Sequence, residues 1–302
     1  MHVINIILHP AMIAILALFL SVIWMLRDQK DKTRAHLVFA LVINLFYGVL
    51  LNLLMGHEGS LFPWKFDRVL LHIDQALGIQ APVLAGHLQG FLRIPLWMIY
   101  QLMVPMMIVW FLVTRYSRGS GSIIMAYVAE LVCGPLIYTI VPACGPIYAF
   151  GNQWLHPPAV PPDAIRLTGM PNAFPSLHAG TALVLVLFAP GRFWKAVALL
   201  FLAGTCLATL STGEHYVVDL VPGLAFGVFA ASVGIGKIRR AAGYLALVIA
   251  WSLVVRFASS FLIAHPIVTR SFALATLALV ALALLRQWFP VPAREQISNL
   301  AA

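Results

Sequence analysis

"AFPSLHAGTALVL", residues 173–185, sets a proline, a serine and a histidine at the lip of a strongly apolar run. "STGEHYVVDL", residues 211–220, opens another apolar run in the same way, and the two lips read as one site held at one membrane face. Pro175 and Ser176 suit a helix start, where a proline's missing N–H costs nothing and a serine oxygen can cap a free amide. His178 then lies in the first turn. His215 and Asp219 stand four apart, which on a helix puts both on one face, within hydrogen-bonding reach.

Outward from these lips the chain is apolar almost throughout. Of 302 residues, 62% are hydrophobic and only 10% are charged, a balance that soluble domains of this length rarely show. Runs of about 20 residues, enough to span a bilayer as helices, recur along it. Nine are read: 4–26, 36–56, 95–114, 123–142, 176–191, 194–212, 215–236, 242–264 and 270–287. Only "PGRFWK" separates the fifth from the sixth. The first is not expected to be a cleaved signal peptide, being too long, without Lys or Arg at its start and without a small-x-small site after it. The predicted fold is all-α, a polytopic helix bundle forming a single membrane domain over 1–302. An N-terminal helical pair (1–56) precedes a core (60–236), and a C-terminal pair and tail (242–302) follow.

The net charge of +9 is a matter of topology. Thirteen of the nineteen basic residues fall in or beside alternate connections: Arg27, Lys30, Lys32 and Arg34; Arg115 and Arg118; Arg192 and Lys195; Lys237, Arg239 and Arg240; Arg286 and Arg294. Five lie on the other side (Lys65, Arg68, Arg93, Arg166, Arg270), and Arg256 lies inside a span. Basic residues concentrate on the cytoplasmic side of membrane proteins, so the N-terminus is expected outside and the C-terminus in the cytoplasm. Nucleic acid is not needed to explain the charge. A bacterial inner membrane with the site facing the periplasm is the expected location.

Two long connections then fall on the outer side. In residues 57–94, Val69, Leu70, Ile73 and Leu77 follow helical spacing, as in a short amphipathic helix lying in the interface. Residues 143–175, rich in Pro and Gly, read as an ordered or partly mobile loop. Cys133, Cys144 and Cys206 show no metal or redox spacing. Glu130 and Arg256 fall deep in spans, where an isolated charge costs about 2.5–3.5 kcal/mol on insertion scales. They are expected to satisfy each other or backbone groups.

The chemistry follows from residue types. Two helix N-termini meeting at one face offer free amides and positive dipole ends, which suit a phosphate. A histidine whose far ring nitrogen donates to a carboxylate keeps its near nitrogen free to attack. A second histidine across the phosphate could protonate the departing alkoxide. Two histidines and an aspartate could instead hold a zinc ion. His9, His57, His87, His156 and His265 read as interfacial residues.

"FPSLHAG" followed by "HYVVDL" resembles the second and third motifs of the type 2 phosphatidic acid phosphatase superfamily. "GPIY" at 145–148 and "DRVLLHIDQALG" at 67–78 resemble its branch of inositol phosphorylceramide synthases. The resemblance covers roughly residues 60–236. It implies a six-helix catalytic core and a phosphohistidine intermediate, with His215 as nucleophile, Asp219 as its orienting acid and His178 as acid to the leaving group. It implies no metal or other cofactor. Leu177 stands where members carry Gly, Ala208 and Thr209 replace a Ser-Arg pair, and a Lys-x6-Arg-Pro motif is absent. The usual phosphate-gripping cations are therefore missing, which weighs against plain phosphatase activity. Ser176 and the outer-side arginines Arg166, Arg93 and Arg68 are the candidates to hold the phosphate, though each arginine could equally anchor the interface.

The reading is an integral-membrane lipid phosphotransferase, moving a phospho-head group from a lipid phosphoester donor to a lipid or alcohol acceptor at the outer face. A lipid phosphate or polyprenyl diphosphate phosphatase is the alternative in the same site. A transporter is the alternative from another class, but no doubled hydropathy pattern or pair of interrupted helices supports it.

Overall fold

Apolar runs broken by Pro, Gly and charge fold into helices in the computed structural model, which describes residues 59–288 apart from 60, 80, 91 and 116–119. The expected spans at 4–26 and 36–56 lie outside the described residues, as do "RDQKDKTR" and Arg294. Two bent pairs come first: α1 (Asp67–Leu77) with α2 (Ala81–Leu88) at 86°, and α3 (Arg93–Gln101) with α4 (Met103–Arg115) at 55°. α5 (Ser120–Tyr138) follows, then a loop carrying the short α6 (Pro146–Phe150). The rest is α7 (Leu177–Phe188), α8 (Gly191–Ser211), α9 (Val217–Gly234), α10 (Ile238–Ala264) and α11 (Pro266–Trp288). The protein is a helical membrane bundle: among the described residues α8 to α11 are each long and apolar enough to cross a bilayer, and up to six spans result if each bent pair counts as one.

Among the described residues the expected spans and the helices differ in three places, the first being the run at 123–142, which ends at Tyr138 and is a shorter apolar helix over Ser122–Tyr138. The run at 95–114 is bent between α3 and α4 rather than straight. The run at 176–191 yields α7 with only 12 residues, about 18 Å at 1.5 Å per residue. That is short of a hydrocarbon core of about 30 Å. Its end is local chemistry, because Pro190 and Gly191, the latter at φ 64°, turn the chain into α8.

α9 is the centre of the bundle. Of its apolar window 78% is buried, against 28% for α10 and for α11. It meets α7 backbone to backbone: a Cβ on Gly223 would stand 2.4 Å from the Ser176 carbonyl oxygen, and one on Gly227 2.4 Å from that of Gly180. Lipid tails are as apolar as leucine, so helices in a bilayer associate through such close small-residue contacts. The consequence is positional, since the N-terminal ends of α7 and α9 are pinned together.

α1 occupies the expected amphipathic stretch, but its apolar face covers protein. Val69, Leu70 and Ile73 share a buried cluster with Val218, Val221, Trp251 and Val255. The loop 143–175 is ordered around buried Ala173, Phe174 and Trp154. An antiparallel pair of two-residue strands, β1 (Trp64–Lys65) and β2 (Ile165–Arg166), ties it to the segment before α1, a small departure from an all-helical chain. Glu130 and Arg256 do not pair. Glu130 accepts a hydrogen bond from Thr181 at 2.9 Å, while Arg256 donates to the backbone carbonyls of Ile140 and Thr139 at the end of α5.

Candidate active site

Ser176 caps α7, its Oγ accepting from the Ala179 N–H at 3.3 Å, and its own N–H donates to the Asp219 carbonyl at 3.0 Å. His178 therefore sits one residue inside α7, level with the first turn of α9. His215 is not on a helix with Asp219, because α9 begins at Val217. The pair is brought together by a cap instead. The Asp219 carboxylate accepts from the Tyr216 N–H at 2.8 Å, folding the turn so that Asp219 Oδ2 lies 3.4 Å from His215 Nδ1. The nearer partner of that nitrogen is the Ala173 carbonyl at 2.9 Å. A carbonyl only accepts, so Nδ1 carries the proton and Nε2 keeps a lone pair. Nε2 faces His178 Nδ1 at 3.5 Å.

The sequence thus places His178, His215, Asp219 and Ser176 at one spot, but one expectation about the amides fails. The first donors of α9 are already occupied. Asp74, fully buried on α1, accepts from the Val217 N–H at 2.9 Å and from the Val218 N–H at 2.7 Å. At the start of α7 the Leu177 and His178 N–H groups have no partner among the described residues. Of the two helix ends, only α7 offers amides to an anion.

Asp67 and Asp74 were not picked out as functional from the sequence. Asp67, also fully buried, accepts from the N–H groups of Cys144 and Gly145 and from the Tyr216 hydroxyl at 3.1 Å. Gly145, at φ 96°, must be glycine twice over, since a Cβ there would stand 2.3 Å from the Glu214 carbonyl oxygen. The signal was present: Asp67, Leu70, Leu71 and Asp74 follow one helical stripe, and a carboxylate on an apolar stripe needs a buried donor. Asp74→Asn is expected to leave one of these amide donors unsatisfied and to cost about 1–3 kcal/mol. Denaturant unfolding in detergent should show that loss, with kcat falling more than KM rises as the His215 turn loosens.

A cavity of about 340 Å³ opens beside the histidines, lined by Gln89, Arg93, Trp97, Tyr100, Trp154 and Glu214 among others. It reaches His178 through Tyr100, whose ring stacks on the imidazole with centroids 4.5 Å apart. Glu214 hangs at its wall, accepting from the Tyr148 hydroxyl at 2.9 Å, and burial raises its carboxyl above the ordinary range. Of the three arginines singled out, Arg93 lines this cavity. Arg68 is engaged in an ion pair with Asp163 at 3.0 Å. Arg166 is exposed in β2, opposite Trp64. Neither Arg68 nor Arg166 lines the cavity. Nothing in the sequence around Tyr100 marked it for this role.

His215 is 2% exposed, and burial pushes its pKa down to about 4 against a partial offset from the Ala173 carbonyl. The imidazole is neutral at pH 7, the state an attacking nitrogen requires. Desolvation here outweighs the hydrogen bond to the Ala173 carbonyl, which alone would favour the cation. Among the described residues no group of three or more His, Cys, Asp or Glu side chains is arranged to hold a metal ion.

With this geometry in view, comparison with known proteins gives one family. The model of the PAP2 superfamily matches residues 68–233, more than half of the chain. No curated protein and no solved structure matches it.

Proposed function

The chain belongs to the PAP2 superfamily, whose members are phosphatases and phosphotransferases acting on phosphoesters, and we propose that it is a lipid phosphotransferase working through a phosphohistidine. The observation that carries this reading is the neutral, lone-pair-bearing His215 Nε2 turned toward His178 at 3.5 Å. His215 attacks phosphorus. As the N–P bond forms, the bond to the leaving oxygen breaks, and His178, which takes up a proton together with the anionic substrate and enters as the imidazolium, gives that proton to the leaving oxygen and is left neutral. The Nδ1 proton stays on His215, between the Ala173 carbonyl and Asp219, which together orient the ring and stabilise the positive charge it gains. In the second half, neutral His178 takes the proton of the acceptor hydroxyl as that oxygen displaces His215.

A gap of 3.5 Å between ring nitrogens is too narrow for a phosphoryl group. His178 must therefore turn aside along Tyr100 as substrate binds. The Leu177 and His178 amides and Arg93 are the groups we assign to the phosphate, with Ser176 acting through the cap of α7; Arg68 and Arg166 are not retained in that role. Two features support transfer over hydrolysis. The cavity beside the histidines is far larger than a water nucleophile needs. The two stretches that resemble inositol phosphorylceramide synthases, "DRVLLHIDQALG" and "GPIY", also supply Asp67, Asp74 and Gly145, which hold the turn carrying His215.

Purified protein with a head-group-labelled phospholipid and a graded alcohol acceptor tests the proposal. The expected result is a labelled transfer product that dominates when acceptor is present, with inorganic phosphate rising only when it is withheld. Phosphate as the sole product at every acceptor concentration would make the enzyme a phosphatase, and neither product would favour a transporter.

We also propose that the site faces outward, from the thirteen-to-five bias of basic residues between the two sets of connections. A single cysteine at Asn152 should then react with an impermeant thiol reagent in intact cells, and one at Gln29 should not. The reverse pattern would invert the topology.

A further inference from the structure

The end of the bundle away from the histidines carries a second site. α9 runs from the His215 turn to Gly234, and α10 starts there; α11 returns to the same end at Trp288. Between α10 and α11 lies a cavity of about 620 Å³, lined by Arg240, Tyr244, Leu247, Leu279, Leu282 and Arg286 among others. Its walls are apolar and its two charges are both positive.

Nothing described in the protein neutralises them. Nε and Nη2 of Arg240 are buried and have no hydrogen-bond partner among the described residues. From Leu220 to Trp288 the sequence contains no Asp or Glu, so α10 and α11 cannot supply a counter-anion. The Tyr244 hydroxyl, also on the wall, is neutral and donates to the Leu279 carbonyl at 2.6 Å. The described acids are committed elsewhere: Asp67, Asp74, Glu214 and Asp219 around the histidines, Glu130 with Thr181, and Asp163 with Arg68. Buried guanidinium N–H groups without a partner, as at Arg240, are costly, and the exposed Arg286 brings a second positive charge to the same groove.

We propose that this groove binds an anionic phospholipid of the leaflet opposite the histidines, its phosphate gripped by Arg240 and Arg286 and an acyl chain lying along Leu247, Leu279 and Leu282. Guanidinium groups take a phosphodiester through paired, charge-assisted hydrogen bonds, and basic pockets between membrane helices recognise anionic head groups. A zwitterionic lipid brings its own ammonium to a site that already has two cations. A free phosphate would leave the leucine walls uncovered. The site is separate from the reaction at His215.

Native mass spectrometry of the full-length protein tests this, with His215→Ala in every sample so that no lipid is turned over. The protein is expected to retain phosphatidylglycerol in preference to phosphatidylcholine. Arg286→Gln, a change at an exposed residue, should weaken that retention about fivefold, and the Arg240→Gln/Arg286→Gln pair about twentyfold. Arg240→Lys with Arg286→Lys should keep most of it, which separates lost charge from lost folding. Should the glutamine pair not fold, the single Arg286→Gln must still weaken retention. Equal retention by these variants, or no preference over phosphatidylcholine, would overturn the proposal. Displacement of the lipid by millimolar inorganic phosphate would make this a free-anion site. A gain of retention on neutralising Asp28, Asp31, Glu58 and Glu295, the acids beyond the described residues, would show that the chain fills the groove itself.

Discussion

His215→Ala is expected to lower kcat at least about 10⁴-fold, because removing a covalent nucleophile removes the two-step route rather than one contact along it. Substrate binding should change little, since the phosphate is assigned to Arg93 and the α7 amides. The same residue sets the acid side of the pH profile. An ordinary histidine titrates near 6.5, but burial pushes His215 down to about 4. Below that pH the lone pair is lost to a proton, so kcat/KM should fall tenfold per unit only as pH drops through about 4, and the group should impose no loss between 5 and 7. An acid limb at the ordinary value, removed by His215→Ala with residual activity remaining, would show that the nitrogen is solvated and is not poised as described.

The second large effect separates the two histidines. His178→Ala removes the proton donor to the leaving oxygen, and general acid catalysis contributes about 10²–10⁴-fold. That whole factor should appear with a lipid alkoxide leaving group, which cannot depart unprotonated. With p-nitrophenyl phosphate the loss should shrink to about tenfold or less, since p-nitrophenolate barely needs the proton. Equal losses with both leaving groups would assign His178 to positioning. Tyr100 gives an internal comparison, because it touches His178 by stacking alone. Tyr100→Phe keeps the ring and should keep the rate.

Much of this site was legible at the lips of two apolar runs. "PSLH" and "EHYVVD" put polar, titratable side chains where a helix leaves water, and the structure brings His178 within 3.5 Å of His215. What was not legible is tertiary. The i,i+4 spacing of His215 and Asp219 suggested one helical face, yet their proximity comes from a cap outside the helix, at Tyr216. The nearer partner of His215 is a backbone carbonyl, Ala173, and carbonyls leave no mark in a sequence. The amides of α9 looked free because Asp74, which takes them, lies 143 and 144 residues away. The run at 176–191 looked long enough to span because hydropathy passes over Pro190 and Gly191, whereas backbone geometry does not. Nearness to His178 in the sequence put Arg166 ahead of Arg93 and Arg68, but distance along the chain says nothing of tertiary position: Arg166 is exposed in β2, Arg68 pairs with Asp163, and Arg93 lines the cavity.

Turnover and pH profiles report on His215 indirectly; trapping the intermediate reports on it directly. Rapid quench of the enzyme with phosphate-labelled donor, in the absence of acceptor, should yield protein-bound label that is acid-labile, stable to alkali and confined to the peptide containing His215. The label should be discharged by added alcohol at the rate of transfer and be absent from His215→Ala. Label that still accumulates on the His215→Ala protein, or steady turnover by the parent enzyme with no labelled peptide at any time point, would contradict the account.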